Sequence, residues 1–153
     1  MKNIFVLVIS VMLLASCGEG NEKTTQKNTE PDGDHIVSTY VNGNPKLIQT
    51  YEVKDGKRSA VYEKEYYEDY TILKEGRLNN GKRDGLWKSF RRDGLLWSEG
   101  NYSNGIRQGI TVTYHPNGQK YYYGEYNKGK KSGVWKFYNE EGNLVKEEDF
   151  NKK

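Results

Sequence analysis

The sequence has a single cysteine, Cys17, so no disulfide can form within one chain. It has only two histidines, His35 and His115, and no Cys/His spacing typical of a zinc site. It contains neither a Gly-x-Ser-x-Gly nucleophile motif nor a phosphate-binding glycine loop. His115 precedes Pro116-Asn117-Gly118 and is interpreted as an exposed turn residue. We therefore expect no catalysis, no metal and no cofactor.

Long apolar runs and helical periodicity are also scarce. Beyond the N-terminal run, no window keeps apolar residues at i, i+3, i+4 and i+7, and no segment approaches the length that spans a bilayer. The 24 Lys and Arg residues are nearly balanced by 21 Asp and Glu, which leaves a net charge of +3. So small an excess does not favour nucleic acid, and we predict no nucleic-acid partner.

Tyrosine, tryptophan and glycine are plentiful instead. The chain has 13 Tyr, 3 Trp and 17 Gly. Aromatic side chains favour β-strands, and glycine favours the tight turns between them. The composition therefore predicts an all-β protein.

The N-terminus carries an export signal. A cationic start is followed by residues 4–14, which are apolar apart from one serine, and then by the small residues Ala15 and Ser16. Ending in Cys17, this segment resembles a bacterial lipoprotein signal. The resemblance implies cleavage of the signal peptide, residues 1–16, and attachment of the lipid to Cys17. The membrane would then be a partner through the lipid, and the protein would lie in the bacterial cell envelope, with the outer membrane favoured. An ordinary secretory signal with a chance cysteine is the alternative.

After the signal the chain divides into a linker and repeats. Residues 19–35 are polar, which predicts a flexible linker over residues 17–37 between lipid and domain. Beyond them, four glycine columns recur with a period of 24. The columns are Gly76/Gly100/Gly124, Gly81/Gly105/Gly129, Gly85/Gly109/Gly133 and Gly94/Gly118/Gly142. A fixed period indicates a repeat architecture. We expect two degenerate capping repeats in residues 38–75, and three clear repeats with a closing strand in residues 76–153.

Each repeat predicts two strands and two turns. In the first clear repeat the strands are residues 86–91 and 95–102, with a turn at Arg92-Asp93-Gly94. Asn104-Gly105 and Gly109 bracket the next turn, because Asn-Gly is a strong hairpin signal and glycine adopts positive φ. The sequence therefore predicts an antiparallel meander of stacked β-hairpins, in which each repeat advances the sheet by roughly 10 Å.

The repeats resemble a known family. Residues 81–90, Gly-Lys-Arg-Asp-Gly-Leu-Trp-Lys-Ser-Phe, resemble the MORN-repeat variant of bacterial proteins, and residues 129–138 match equally well. Residues 105–114 depart from the motif, with Thr111 at the tryptophan position and Ile106 at a basic one. The resemblance implies a stack of hairpins. Many such chains are labelled YwqK-type antitoxins and others are lipoproteins of unknown role, so the family implies no single activity.

Two sets of residues are candidates for binding. The first is an aromatic set that would anchor a protein or stack on sugars, unless its rings only pack between repeats. Its members are Trp87, Trp97, Tyr114, Tyr122, Trp135 and Tyr138. The second is a basic turn column that would meet anionic lipid or an acidic partner, unless it is a solvated edge that resists aggregation. Its members are Lys57, Arg58, Lys82, Arg83, Arg107, Lys130 and Lys131.

The strand pattern does not decide on which face of the sheet each of the large side chains lies. Leu86, Trp87 and Phe90 cannot share one face of a regular strand, so either a bulge shifts the register or both faces carry large side chains. On these grounds we predict a lipid-anchored, non-catalytic binding module whose partner is a protein. A glycan or cell-wall binding module and an antitoxin or immunity-type protein are the alternatives.

Overall fold

The computed structural model describes residues 32–152 and shows one antiparallel sheet of ten strands. Strand order follows chain order without a crossover. The strands are β1 (Gly33–Thr39), β2 (Pro45–Lys54), β3 (Lys57–Tyr66), β4 (Ile72–Asn79), β5 (Lys82–Phe90), β6 (Leu96–Ser103), β7 (Ile106–Tyr114), β8 (Lys120–Asn127), β9 (Lys130–Tyr138) and β10 (Leu144–Asp149). This confirms the all-β meander of stacked hairpins.

Two parts of the sequence prediction concern the N-terminus. The signal peptide and Cys17 lie outside the described residues. The linker predicted for residues 17–37 extends too far, because β1 already begins at Gly33. Pairing with β2, in which Ile36 lies opposite Ile48, orders a segment whose polar composition alone predicts a coil. Nowhere in residues 32–152 is there a helix long and apolar enough to cross a membrane.

Two kinds of turn alternate along the sheet. At one end of the strands, two-residue turns such as Asn104-Gly105 have positive φ at both positions, 51° and 85°, as type I′ hairpin turns do. At the other end of the strands the turns are longer. In one of them the N–H of Arg91 donates to the carbonyl of Leu95 at 2.8 Å. Asn117-Gly118 belongs to this second kind, because the His115 N–H is bonded to the Gln119 carbonyl.

The glycine column Gly85/Gly109/Gly133 lies inside strands and corrects the predicted turn limits. Gly109 has a φ of 81°, as expected, but it lies within β7. There the register against β6 shifts between Gly100 and Tyr102, which marks a β-bulge. The turn before β7 therefore consists of Asn104-Gly105 alone. For the same reason β5 begins at Lys82, four residues before the predicted start at Leu86.

The two faces of the sheet differ in chemistry, because side chains alternate between them. The charged face is defined by a row of directly opposed residues across eight strands. The row is Lys64, Glu75, Lys88, Glu99, Val112, Tyr123, Lys136 and Glu147. Opposite charges on neighbouring strands contribute about 0.2–1 kcal/mol each, and Lys136 and Glu147 form an ion pair at 3.2 Å.

The aromatic face carries a second row, in which glycine alternates with larger residues. The row is Glu63, Gly76, Trp87, Gly100, Thr111, Gly124, Trp135 and Glu148. Leu86 and Trp87 thus lie on opposite faces of β5, so both faces carry large side chains. The register shift between Ser89 and Phe90 comes from an extra residue in β6, where Trp97 has no directly opposed partner.

Most of the buried side chains lie on the aromatic face. They are Leu78, Trp87, Thr111, Thr113 and Trp135. Tyr66 and Val112 are also buried, and Val112 belongs to the row that defines the charged face. Leu86, Ile110 and Val134, in contrast, stay 43–46% exposed on the charged face. They do not stack on one another, because Asn101 lies directly opposite Leu86 and Glu125 lies opposite Ile110.

Candidate functional site

Trp87 and Trp135 are built into the aromatic face by the glycines opposite them. A Cβ on Gly76 would lie 2.5 Å from the ring of Trp87, and a Cβ on Gly124 would also clash with Trp135. The indole Nε1 of Trp87 donates to the Arg77 carbonyl at 2.9 Å, and that of Trp135 donates to the Glu125 carbonyl at 3.2 Å. The two rings are therefore buried with their polar atom paired, 4% and 1% exposed.

The structure divides the predicted aromatic set, which does not form one outward surface. Trp87 and Trp135 pack against their own sheet, whereas Trp97 is 48% exposed. Tyr122 lies between, with its ring centroid 5.5 Å from that of Trp135. The other two members, Tyr114 and Tyr138, line a separate depression beside the longer turns, at the ends of their strands.

Tyr114 lies on the charged face, two residues after Val112 in β7. Its phenol donates to the Glu99 carboxylate at 2.7 Å. Burial, reinforced by this carboxylate, raises the pKa of Tyr114 to about 12. The Tyr114 hydroxyl is thus committed within the sheet.

The predicted basic column also divides between the faces. Its second member in each repeat stacks on an aromatic ring of the aromatic face. The cation-to-centroid distances are 3.7 Å for Arg58 on Tyr51, 4.2 Å for Arg83 on Trp87, 5.1 Å for Arg107 on Tyr126 and 4.2 Å for Lys131 on Trp135. Lys57, Lys82 and Lys130 each precede one of these residues and are exposed on the opposite side. Four of the seven cations therefore cover rings, with about 0.5–1 kcal/mol expected for each exposed pair.

Thr111 leaves a recess in the aromatic face. It occupies the position that Trp87 and Trp135 hold in the flanking repeats, and its side chain is much smaller than an indole. The resulting recess has a volume of about 150 Å³. Its lining includes the floor residues Ser89, Ser98, Gly100, Thr111 and Thr113, the rings of Trp87, Trp97, Tyr102 and Tyr122, and the rim cations Arg83 and Arg107.

The rim of this recess is positively charged. The Arg83 guanidinium lies 4.2 Å from the Trp87 ring centroid, and that of Arg107 lies 5.7 Å from the Tyr102 centroid. In residues 32–152 neither guanidinium forms an ion pair. Glu99 also borders the recess, but register with Lys88 and Val112 directs its carboxylate to the charged face. The recess can therefore accept a negatively charged group.

A set of turn residues missed by the sequence interpretation ties the repeats together. Tyr67 donates from its hydroxyl to the Phe90 carbonyl at 3.0 Å, and Arg91 donates to the Tyr114 carbonyl at 2.7 Å. His115 repeats the contact through Nε2, 2.8 Å from the carbonyl of Tyr138. The interpretation of His115 as a merely exposed turn residue is thus wrong. The shared 24-residue spacing was the available signal, but the three side chains differ too much to form an evident motif.

No protein-family model matches the chain, and no curated protein matches it. The resemblance to MORN-type repeats therefore stays a prediction. Within the described range, no three His, Cys, Asp or Glu side chains are grouped so as to hold a metal ion.

Proposed function

We propose that this chain is a lipid-anchored, non-catalytic binding module of the bacterial cell envelope and that its partner is a protein. The anchor at Cys17 and the location depend on the N-terminal sequence. The observation that supports a protein partner is the position of β1 at the outside of the sheet. Among the described strands, β1 pairs only with β2 and forms one edge of the ten-stranded sheet. Such an edge accepts an extended segment of another chain as an additional strand.

The two outer strands differ in how well they resist such pairing. β1 has no Lys, Arg or Pro, and its Ile36 and Val37 are 59% and 49% exposed. β10 ends in Lys146-Glu147-Glu148-Asp149, a run of charges of the kind that discourages edge pairing. The partner strand is therefore expected at β1.

Site-specific cross-linking in intact envelopes tests this proposal. A photo-activated residue at Val37 should give a discrete protein adduct, and the same residue at Val145 on β10 should not. Val145 is a matched control because it is 62% exposed on the other edge. The purified adduct partner should then bind the wild-type protein and lose at least tenfold affinity for an Ile36→Lys variant. Equal adducts at both edges, or undiminished binding by that variant, would contradict the proposal.

The alternatives rest on other grounds. A glycan-binding module would use the recess at Thr111 rather than the β1 edge. The antitoxin alternative rests on the family resemblance alone and stays a prediction.

A further inference from the structure

The geometry points to the recess at Thr111 as a binding site for one acidic sugar unit, a pyranose ring that carries a carboxylate. This site lies on the interior strands β5 to β8, away from the β1 edge. The inference is therefore independent of the proposed protein partner. Three features support it: an interrupted tryptophan row, a floor of hydroxyl groups and a cationic rim.

The recess is an interruption in an otherwise regular row. In the flanking repeats a glycine and the tryptophan opposite it fill the surface, as Gly76 and Trp87 do. At the central position Gly100 is present, but it faces Thr111, whose Oγ1 would lie 3.1 Å from an added Cβ. Gly100 therefore leaves space above the sheet that no ring of this chain fills, and a ring of a ligand could occupy it.

The lining matches the groups of a sugar. Ser89, Ser98 and Thr113 bring three hydroxyls to the floor, and each hydroxyl both donates and accepts hydrogen bonds, as sugar hydroxyls do. The rings of Trp97 and Tyr122 give flat apolar walls for the C–H groups of a pyranose.

The two arginines at the rim are the reason for proposing a negatively charged ligand. Arg83 and Arg107 both border the recess, and ring stacking leaves the guanidinium N–H groups at the plane edge free to donate. Arginine forms strong charge-assisted hydrogen bonds with carboxylates. A neutral sugar would leave these donors to water, so a uronic acid fits the rim better.

A sugar fits this position better than a peptide side chain does. β6 and β7 are interior strands whose backbone groups are used in pairing with β5 and β8, so the recess offers side chains only. Extended peptides depend on main-chain hydrogen bonds, which this position lacks. The volume of about 150 Å³ lies below the roughly 300–1,000 Å³ of pockets for drug-sized ligands and suits a single ring.

Fluorine NMR of the full-length chain in detergent micelles, labelled with 5-fluorotryptophan, tests the site. The chain has three tryptophans, of which Trp87 and Trp97 line the recess and Trp135 does not. Methyl glucuronide should shift the first two resonances saturably and leave the third in place. It should bind about tenfold more tightly than methyl glucoside, because only the glucuronide engages the arginines. N-acetylglutamate amide, which carries the carboxylate without the ring, should bind more weakly than the glucuronide.

A Thr111→Trp variant is the decisive control, because it fills the recess with the residue that the flanking repeats use. It should still unfold in one cooperative transition, at a temperature no lower than that of the wild type, and lose the glucuronide response. Should this variant fail to fold, Arg107→Gln provides the test instead, because Arg107 is exposed and its loss should abolish the tenfold preference for charge. No saturable shift, equal binding of the two glycosides, equal binding of N-acetylglutamate amide, or binding retained by Thr111→Trp would each overturn the proposal.

Discussion

The indole of Trp87 lies against Gly76 on the neighbouring strand, and its Nε1 donates to the carbonyl of Arg77, the residue after that glycine. The glycine gives space for the ring face, while the carbonyl satisfies the one polar atom of the indole. The same relationship recurs between Trp135, Gly124 and Glu125. A single-layer sheet therefore buries tryptophan without a second layer, because each ring covers the strand beside it.

We expect Gly76→Ala to destabilise the protein by about 1–3 kcal/mol, the usual effect of overpacking a well-filled site. The added Cβ would lie 2.5 Å from the Trp87 ring, so the indole or the strand must move. Urea unfolding followed by tryptophan fluorescence measures the change.

Gly100→Ala is the matched control for this prediction. The nearest atom to its added Cβ is the Thr111 Oγ1 at 3.1 Å, the tip of a side chain that can shift. We expect a change below about 1 kcal/mol, because a small relaxation removes the crowding. If both alanine variants lose equal stability, ring contact is not the reason for the glycine column.

Trp135→Ala should destabilise the fold by about 3–5 kcal/mol, because a buried aromatic ring is deleted and a cavity remains. The ring is 1% exposed and contacts Tyr126 and Phe150. Trp97→Ala, which removes the same side chain from a half-exposed position, should change stability by less than about 1 kcal/mol. Thermal unfolding of the two variants compares the sites directly, and similar losses would contradict the assigned burial.

Gly109→Val should cost about 1–3 kcal/mol through backbone strain alone. Its φ is 81°, and its added Cβ would contact only the Cβ of Asn101 at an ordinary 3.8 Å. Gly109→Asn should be milder, because asparagine tolerates this conformation better than β-branched valine does. An unchanged melting temperature in the valine variant would show that the bulge adopts another conformation.

The fold could be predicted from the sequence because it requires positive φ at regular intervals. Glycine adopts positive φ without strain, so these positions are visible as recurrent glycines. The recurrence does not distinguish a turn from a bulge. Gly105 and Gly109 have φ values of 85° and 81°, yet only Gly105 is in a turn. The difference depends on pairing with β6, which local sequence does not express.

The candidate site was less predictable because it depends on register. Trp87 and Trp97 are the same residue type, ten positions apart. Trp87 is buried against the glycine opposite it, whereas Trp97 lies at a register shift, has no directly opposed residue and is exposed. The gap at Thr111 is visible in the tryptophan column. Its hydroxyl floor is not, because Ser89, Ser98 and Thr113 come from three different strands.

The Tyr114–Glu99 hydrogen bond predicts a change in stability at alkaline pH. Because the folded-state pKa of Tyr114 is raised to about 12, above the unfolded value of about 10, the phenol form stabilises the fold. That contribution is complete below pH 10 and is lost as the pH rises through about 12. Tyr114→Phe should therefore cost about 1.5 kcal/mol at pH 8, as for a hydrogen bond to a charged group.

Urea unfolding of the wild type and Tyr114→Phe at several pH values measures this difference. The gap between them should stay constant up to about pH 10 and narrow above it. Comparing the two proteins isolates Tyr114 from Tyr62 and Tyr66, for both of which burial also raises the pKa. A gap that widens above pH 10 would have the wrong sign for this hydrogen bond.

Thr111→Trp should raise stability by about 1.5–3 kcal/mol, the range for burying a large apolar side chain, because Gly100 already provides the space opposite it. The same substitution should increase the contribution of Gly100 to stability. In the Thr111→Trp background, Gly100→Ala should become as damaging as Gly76→Ala is in the wild type. A double-mutant cycle measured by urea unfolding should therefore give a coupling free energy of about 1–3 kcal/mol. Additive effects would mean that the introduced ring does not occupy the row, whereas coupling would show that Thr111 keeps open a recess that a more stable chain would fill.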